Sequence, residues 1–141
     1  MTNKTVAIFG VFDGIHEGHL SFIREAKKEG NHLVAIVARD NIVEELKGKL
    51  PLHSEAERVN ELLKVPDIDL VVLGDVKIGT YNILKEVNPS VVYLGYDQKE
   101  LYKNMNEVMK NGNLPEMEII CGKPHKPEIF HSSILNKRIS F

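Results

Sequence analysis

The chain has 141 residues, of which 43% are hydrophobic and 27% charged, a composition typical of a globular protein that excludes an intrinsically disordered one. Its formal net charge of -2 provides no overall attraction to nucleic acid or to an anionic membrane surface, so we expect neither as a partner. Cys121 is the single cysteine, which excludes an intrachain disulfide and favours a cytoplasmic location.

Five short apolar runs, rich in Val, Ile and Leu, have the length of β-strands. Most are continuous rather than alternating, which is typical of parallel strands buried on both faces. The predicted strands are residues 6–9, 33–38, 70–73, 91–94 and 117–120. None approaches the ~20 apolar residues that a membrane-spanning helix requires. Cys121 directly follows the last run, so we expect a buried thiol.

Helical patterns separate the predicted strands. Ser54 and Glu57 have the spacing of a capping box, which opens a helix. The predicted helices are residues 20–29, 54–63, 81–87, 100–110 and, in the tail, 132–138. Strand and helix alternate throughout, so the sequence predicts one α/β domain over residues 1–141 with a mostly parallel sheet.

The most informative segment, residues 10–19, follows the first predicted strand and reads GVFDGIHEGH. Open α/β sheets bind ligands at the carboxyl ends of their strands, and a helix N-terminus favours an anion. Gly18 lets the backbone approach a ligand closely, and His16 and His19 add donors that can carry charge near neutral pH. The segment therefore predicts charge stabilisation on a phosphate rather than nucleophilic attack.

This segment resembles the HxGH signature of the nucleotidyltransferase superfamily, and residues 10–13 are similar to the Gly-x-Phe/Tyr-Asp lead-in of its cytidylyltransferase-like branch. The resemblance implies a Rossmann-like three-layer fold with a mostly parallel five-stranded sheet. It implies catalytic roles for His16 and His19 at the α and β phosphates, and nucleotide binding by Gly10, Phe12, Asp13 and Gly18. An alternative role for Asp13 is to brace the glycine turn.

Three internal segments extend the resemblance. Lys47 and Lys49 flank Gly48 in a segment similar to a lysine-rich loop that reaches the triphosphate, with Lys47 expected to be catalytic. Arg58 resembles an arginine near the active site, and Gly95 with Asp97 resembles a Gly-x-Asp segment that contacts the base or ribose. The alternatives are solvated lysines, an arginine paired on its own helix, and an ordinary turn.

The tail resembles the family segment that starts a late helix and holds the β and γ phosphates, which implies nucleotide contacts from Ser132, Ser133 and Arg138. His131, Ile134 and Lys137 depart from the family pattern, and these departures weaken a subfamily assignment.

The resemblance implies transfer of a nucleoside monophosphate from ATP or CTP to a phosphorylated small molecule, with release of pyrophosphate and with Mg²⁺ carried on the nucleotide. The pattern looks most like archaeal-type FAD synthases, which join ATP to FMN, and next like glycerol-3-phosphate cytidylyltransferases. Because members of the superfamily are often dimers, we expect a homodimer.

Two other readings remain open. The chain could be a non-catalytic nucleotide-binding module, or a metal protein in which His125 or His131 joins His16 and His19. We expect no resident metal, since no cysteine spacing supports zinc. His32 and His53 lie in no motif and are interpreted as ordinary loop or helix-edge residues.

Overall fold

Strands and helices alternate through residues 4–123, the part of the chain that this computed structural model describes. The strands are β1 (Thr5–Gly10), β2 (His32–Val37), β3 (Leu70–Leu73), β4 (Val91–Leu94) and β5 (Glu118–Cys121), and the helices are α1 (Glu17–Lys27), α2 (Asp40–Lys47), α3 (Glu55–Leu63), α4 (Asn82–Val87) and α5 (Lys99–Lys110). The predicted tail helix, with Ser132, Ser133 and Arg138, lies outside the described residues.

The sheet is a Rossmann-like one with the strand order β3-β2-β1-β4-β5, and every pairing is parallel. Val6 of β1 is paired with Leu33 of β2 on one side and with Val91 of β4 on the other. The strand order reverses between β1 and β4, and such a reversal opens a crevice at the carboxyl ends of the strands. The prediction of a mostly parallel α/β sheet is thereby confirmed, and the sheet is parallel throughout.

Two apolar clusters cover the two faces of the sheet, because successive strand residues point to opposite sides. One cluster contains Val6 with Ile23 of α1 and residues of α3. The other contains Ala7 with Met105 of α5 and residues of α4. These four side chains have no solvent-exposed surface. The result is the predicted three-layer arrangement, with β1 fixed at its centre.

Helix α2 was not predicted from the sequence, which indicated a lysine-rich loop over this stretch. Ile42 and Val43 of α2 pack with Val11 and Ala38 in a small cluster of their own, directly after β1 and β2. Gly48 ends the helix with a φ of 78°, a conformation that glycine adopts without strain. Helix α2 thus covers the carboxyl edge of the sheet.

The expectation of a buried Cys121 thiol is wrong, since the residue is exposed. It ends β5, which is an edge strand of the sheet. Among the described helices, none is long and apolar enough to cross a membrane.

Candidate active site

A tight turn carries the chain from β1 toward α1. Phe12 has a φ of 54° and is buried, so its ring folds back beneath the end of β1. A Cβ atom on Gly10 would lie 2.6 Å from Cε2 of that ring, a distance that real Cβ contacts essentially never show. The Phe12 ring also lies 5.6 Å from the His19 ring, measured between centroids. The Phe12 ring therefore packs between Gly10 and the His19 ring and supports the imidazole.

The two signature histidines cap the N-terminus of α1 reciprocally. The backbone N–H of Gly18 donates to Nδ1 of His16 over 3.0 Å, and the N–H of His16 donates to Nδ1 of His19 over 3.3 Å. The ring centroids are 4.0 Å apart. Because a nitrogen that accepts from an amide carries no proton, each neutral ring is held with its proton on Nε2. Neither Nε2–H group has a partner among residues 4–123, so both can donate to a ligand.

The surroundings of both imidazoles favour the uncharged form. Burial lowers the pKa of His16, and burial together with the neighbouring His16 lowers the pKa of His19 to about 4. The sequence allowed either ring to carry charge near neutral pH, but their surroundings oppose it. The helix N-terminus consequently presents two neutral donors, to which the helix dipole adds partial positive charge.

Asp13 ties the signature to the segment that follows α2. Its Oδ2 accepts the N–H of Leu52 over 2.7 Å, and its Oδ1 accepts the N–H of His53 over 2.9 Å and lies 2.9 Å from Nδ1 of that ring. Burial opposes ionisation, but these hydrogen bonds prevail and lower the pKa of Asp13. His53 was not predicted to belong to the site, because its partner lies 40 residues away in the sequence and leaves no local signal.

The two predicted lysines flank the turn at the end of α2. Lys47 is the last residue of the helix and is half-buried, whereas Lys49 is exposed beyond Gly48. Burial lowers the pKa of Lys47, while the negative charge of Asp13 opposes that shift and the charges of Lys49 and Arg58 add to it. Lys47 is therefore close enough to Asp13 of the signature for their charges to interact. Asp13 also holds the segment that carries both lysines, through its hydrogen bonds to Leu52 and His53.

Arg58 is the most deeply placed charge of the site, with 1% of its surface exposed. One of its terminal nitrogens, Nη1, donates to the carbonyls of Val11 (2.8 Å) and Ala38 (2.7 Å), and Nε donates to the carbonyl of His53 (3.1 Å). Nη2 donates to Oδ1 of Asp40 over 2.7 Å. Arg58 thus joins the exits of β1 and β2 to the start of α3, and its expected nucleotide contact stays a prediction.

The exit of β4 lies beside the end of β1. The buried Gln98 side chain accepts the N–H of Gly95 over 2.8 Å and donates to the carbonyl of Phe9 over 3.1 Å. Burial raises the pKa of Asp97 in the same turn. Gly95 and Asp97 are therefore brought to the crevice at which the signature also begins. Within residues 4–123, no group of three or more His, Cys, Asp and Glu side chains is arranged to hold a metal ion.

Comparison with known proteins places these features in a family. The sequence matches the family model described as cytidylyltransferase-like over residues 7–139. FAD synthase of Thermococcus sibiricus is 35% identical over 142 aligned residues, which cover 99% of this chain and 96% of that protein. FAD synthase of Aciduliprofundum boonei is 44% identical over 98 residues, which cover 70% of this chain and 64% of that protein.

Two solved structures share the fold. A lipopolysaccharide core biosynthesis protein of Thermoplasma volcanium has a TM-score of 0.77 and 30% identity, and the match covers 89% of this chain and all of that one (100%). The pantoate-beta-alanine ligase of Francisella tularensis has a TM-score of 0.60 at 14% identity, covering 88% of this chain and 61% of the other. The second match supports the fold alone.

Proposed function

Because the chain belongs to the cytidylyltransferase-like family and is a nucleotidyltransferase, we propose that it transfers AMP from ATP to the phosphate of FMN and releases pyrophosphate. The observation that carries the reaction class is the pair of Nε2–H groups at the N-terminus of α1, oriented by the backbone bonds to both Nδ1 atoms. The choice of acceptor rests on the FAD synthases that match most of the chain.

In this reaction an oxygen of the FMN phosphate attacks the α-phosphorus of ATP. The bond from that phosphorus to the bridging oxygen breaks, and pyrophosphate leaves with the electron pair. No covalent enzyme intermediate is required, so the protein contributes positioning and charge stabilisation. His16 and His19 donate to the phosphate oxygens that gain charge, and Lys47 and Lys49 add positive charge from the end of α2.

Other residues act by holding these groups in place. Phe12 supports the His19 ring, while Asp13 and Arg58 fix the lysine-bearing segment against the signature. Gly10 leaves room for the Phe12 ring, and Gly18 donates the amide that orients His16. In this proposal Arg58 is a positioning residue, because its donors are already used on protein acceptors.

The remaining contacts are assigned to the two ends of the nucleotide. Gly95 and Asp97 face the base and ribose, which fits their position at the reversal of strand order. Ser132, Ser133 and Arg138 are proposed to hold the leaving pyrophosphate. Mg²⁺ is proposed to enter as part of the MgATP substrate, since it retains several waters and binds readily to phosphates.

A pyrophosphate-release screen tests the proposal by crossing ATP and CTP with FMN, glycerol 3-phosphate and phosphopantetheine. We expect turnover with ATP and FMN, and FAD as the product on chromatography. Turnover with CTP and glycerol 3-phosphate, without turnover of FMN, would support the glycerol-3-phosphate cytidylyltransferase alternative instead. No turnover with any pair would favour a non-catalytic binding module. Sedimentation of the same preparation tests the proposed homodimer, and the cytoplasmic location stays a prediction.

A further inference from the structure

Exposed apolar side chains occur on two segments that follow β2 and β3, the strands that lie on one side of β1 in the sheet. Five of the eight exposed large hydrophobic residues within residues 4–123 lie in or after α2 or in the loop after β3, namely Leu46, Leu50, Leu52, Val76 and Ile78. Both segments follow strands that end at the same edge of the sheet as the signature. We call Leu50, Leu52, Val76 and Ile78 the apolar flank.

The fold holds these side chains outward. The amide of Leu52 is bound to Asp13, yet 90% of the residue is exposed, so the backbone is fixed and the side chain faces solvent. In the loop after β3, the Asp75 carboxylate accepts the N–H of Asn82 over 2.6 Å and that of Ile83 over 2.8 Å, besides the hydroxyl of Thr80. Hydrogen bonds to one aspartate therefore fix the backbone of each segment, Asp13 for the first and Asp75 for the second.

The first turn of α2 joins the two halves. Nε of Arg39, just before the helix, donates to the carbonyl of Gly74 over 2.8 Å. Nδ2 of Asn41 donates to the carbonyl of Val76 over 2.8 Å. The loop after β3 is thus attached to the helix whose far end leads to Leu50 and Leu52. The two segments form one side of the carboxyl edge, beyond β2 and β3.

We propose that the apolar flank binds the isoalloxazine ring of the acceptor, an inference that rests on the proposed function. The acceptor phosphate must reach His16 and His19, and the β4 side of these residues is assigned to the nucleotide base. The acceptor therefore approaches from the β2–β3 side, where the flank lies. A large, flat, mostly apolar ring gains free energy by covering leucine, valine and isoleucine surface. The flank is continuous with the signature through the Asp13 contact to Leu52.

Leu52→Ser and Ile78→Ser test the flank, with Leu63→Ser as the matched control. Leu63 is also an exposed leucine, at 61%, but it ends α3. We expect the two flank variants to raise the KM for FMN about tenfold, equivalent to ~1.4 kcal/mol, with the KM for ATP unchanged. Riboflavin carries the ring without the phosphate, and its binding, followed by fluorescence, should weaken equally. The control should leave all three quantities at the parent values.

The possible outcomes distinguish failure of the flank assignment from failure of the proposed function. If the parent protein makes FAD and both flank variants keep its KM for FMN, the flank assignment is wrong and the function stands. If the parent neither makes FAD nor binds riboflavin, both proposals fail. If the parent binds riboflavin through the flank but makes no FAD, only the function fails. Altered sedimentation of the variants with unchanged KM for FMN would instead identify the flank as a contact between two copies, which also overturns the proposal.

Discussion

The two nitrogens of the His16 ring have separate roles, and suitable substitutions can remove one role at a time. Nδ1 accepts the amide of Gly18 and caps α1, whereas Nε2, which has no partner within residues 4–123, can donate to a phosphate. Asparagine places an acceptor near the position of Nδ1 and lacks the distal donor. Glutamine reaches the position of Nε2 with an N–H group and lacks the capping acceptor. Alanine removes both.

The expected magnitudes follow from these contacts. Loss of a helix cap costs ~1 kcal/mol of the free energy of unfolding, and loss of one donor to developing charge costs ~10²–10³ in rate. We therefore expect His16→Ala to lower both the free energy of unfolding and the rate by these amounts. His16→Asn should keep the stability of the parent but react more slowly by the factor given for one lost donor. His16→Gln should lose the stability and keep the rate within about tenfold, on the reasoning that its amide restores the donor.

Urea unfolding measures the first quantity, and FAD formation from saturating ATP and FMN measures the second. With an m-value of ~2 kcal/mol per molar urea, a lost cap shifts the midpoint by about 0.5 M. A His16→Asn enzyme that retains the parent rate would refute the assignment of Nε2 as a catalytic donor. A His16→Ala protein as stable as the parent would refute the capping role.

Three further outcomes are expected. Arg58→Met should lower the free energy of unfolding by ~3–5 kcal/mol, since it leaves buried carbonyls and Asp40 without their donor; parent-like stability with a raised KM for ATP would instead assign Arg58 to the nucleotide. His19 has a folded-state pKa of about 4 against an ordinary value of 6.5, so the unfolded chain takes up its proton first as the pH falls. The stability present above pH 6.5 should therefore drop by ~3 kcal/mol toward pH 4, and urea unfolding should show a smaller drop for His19→Gln. Asp13→Asn should raise the KM for ATP about tenfold, a loss of ~1.4 kcal/mol, because the tether of Lys47 and Lys49 weakens; unchanged KM with reduced stability would restrict Asp13 to bracing the turn.

The sheet could be predicted well because its signals are local. The continuous apolar runs around Val6 and Val91 match β1 and β4, and the Ser54 capping box opens α3 as expected. Helix α2 was missed because its buried face is short. Ile42 and Val43 are its only buried residues, and both fall within its first turn and a half. The Gly48 stop signal was present in the sequence but was interpreted as part of a loop.

The site could be predicted only in outline. The signature indicated the strand, the turn and the helix N-terminus, and the β4 exit meets it where expected. The contacts that hold the site together join distant residues, such as Asp13 to His53 and Arg58 to Val11. Charge state was also misjudged, because a histidine's pKa depends on burial that the sequence does not reveal. The apolar flank could not be predicted either, because the exposure of Leu52 depends on the long-range contact between its amide and Asp13.

The bond from Gln98 to the carbonyl of Phe9 has a consequence for the order of folding. It closes a span of 89 residues, and loop closure costs conformational entropy that rises slowly with length. During synthesis, β1, β2 and the three helices that follow β1 emerge first, whereas the crevice has only one wall until β4 pairs with β1. At ~5–20 residues per second, Gln98 is made several seconds after His19, so the turn after β4 cannot join the signature before then. The complete nucleotide site can therefore form only after more than half of the polypeptide has been synthesised.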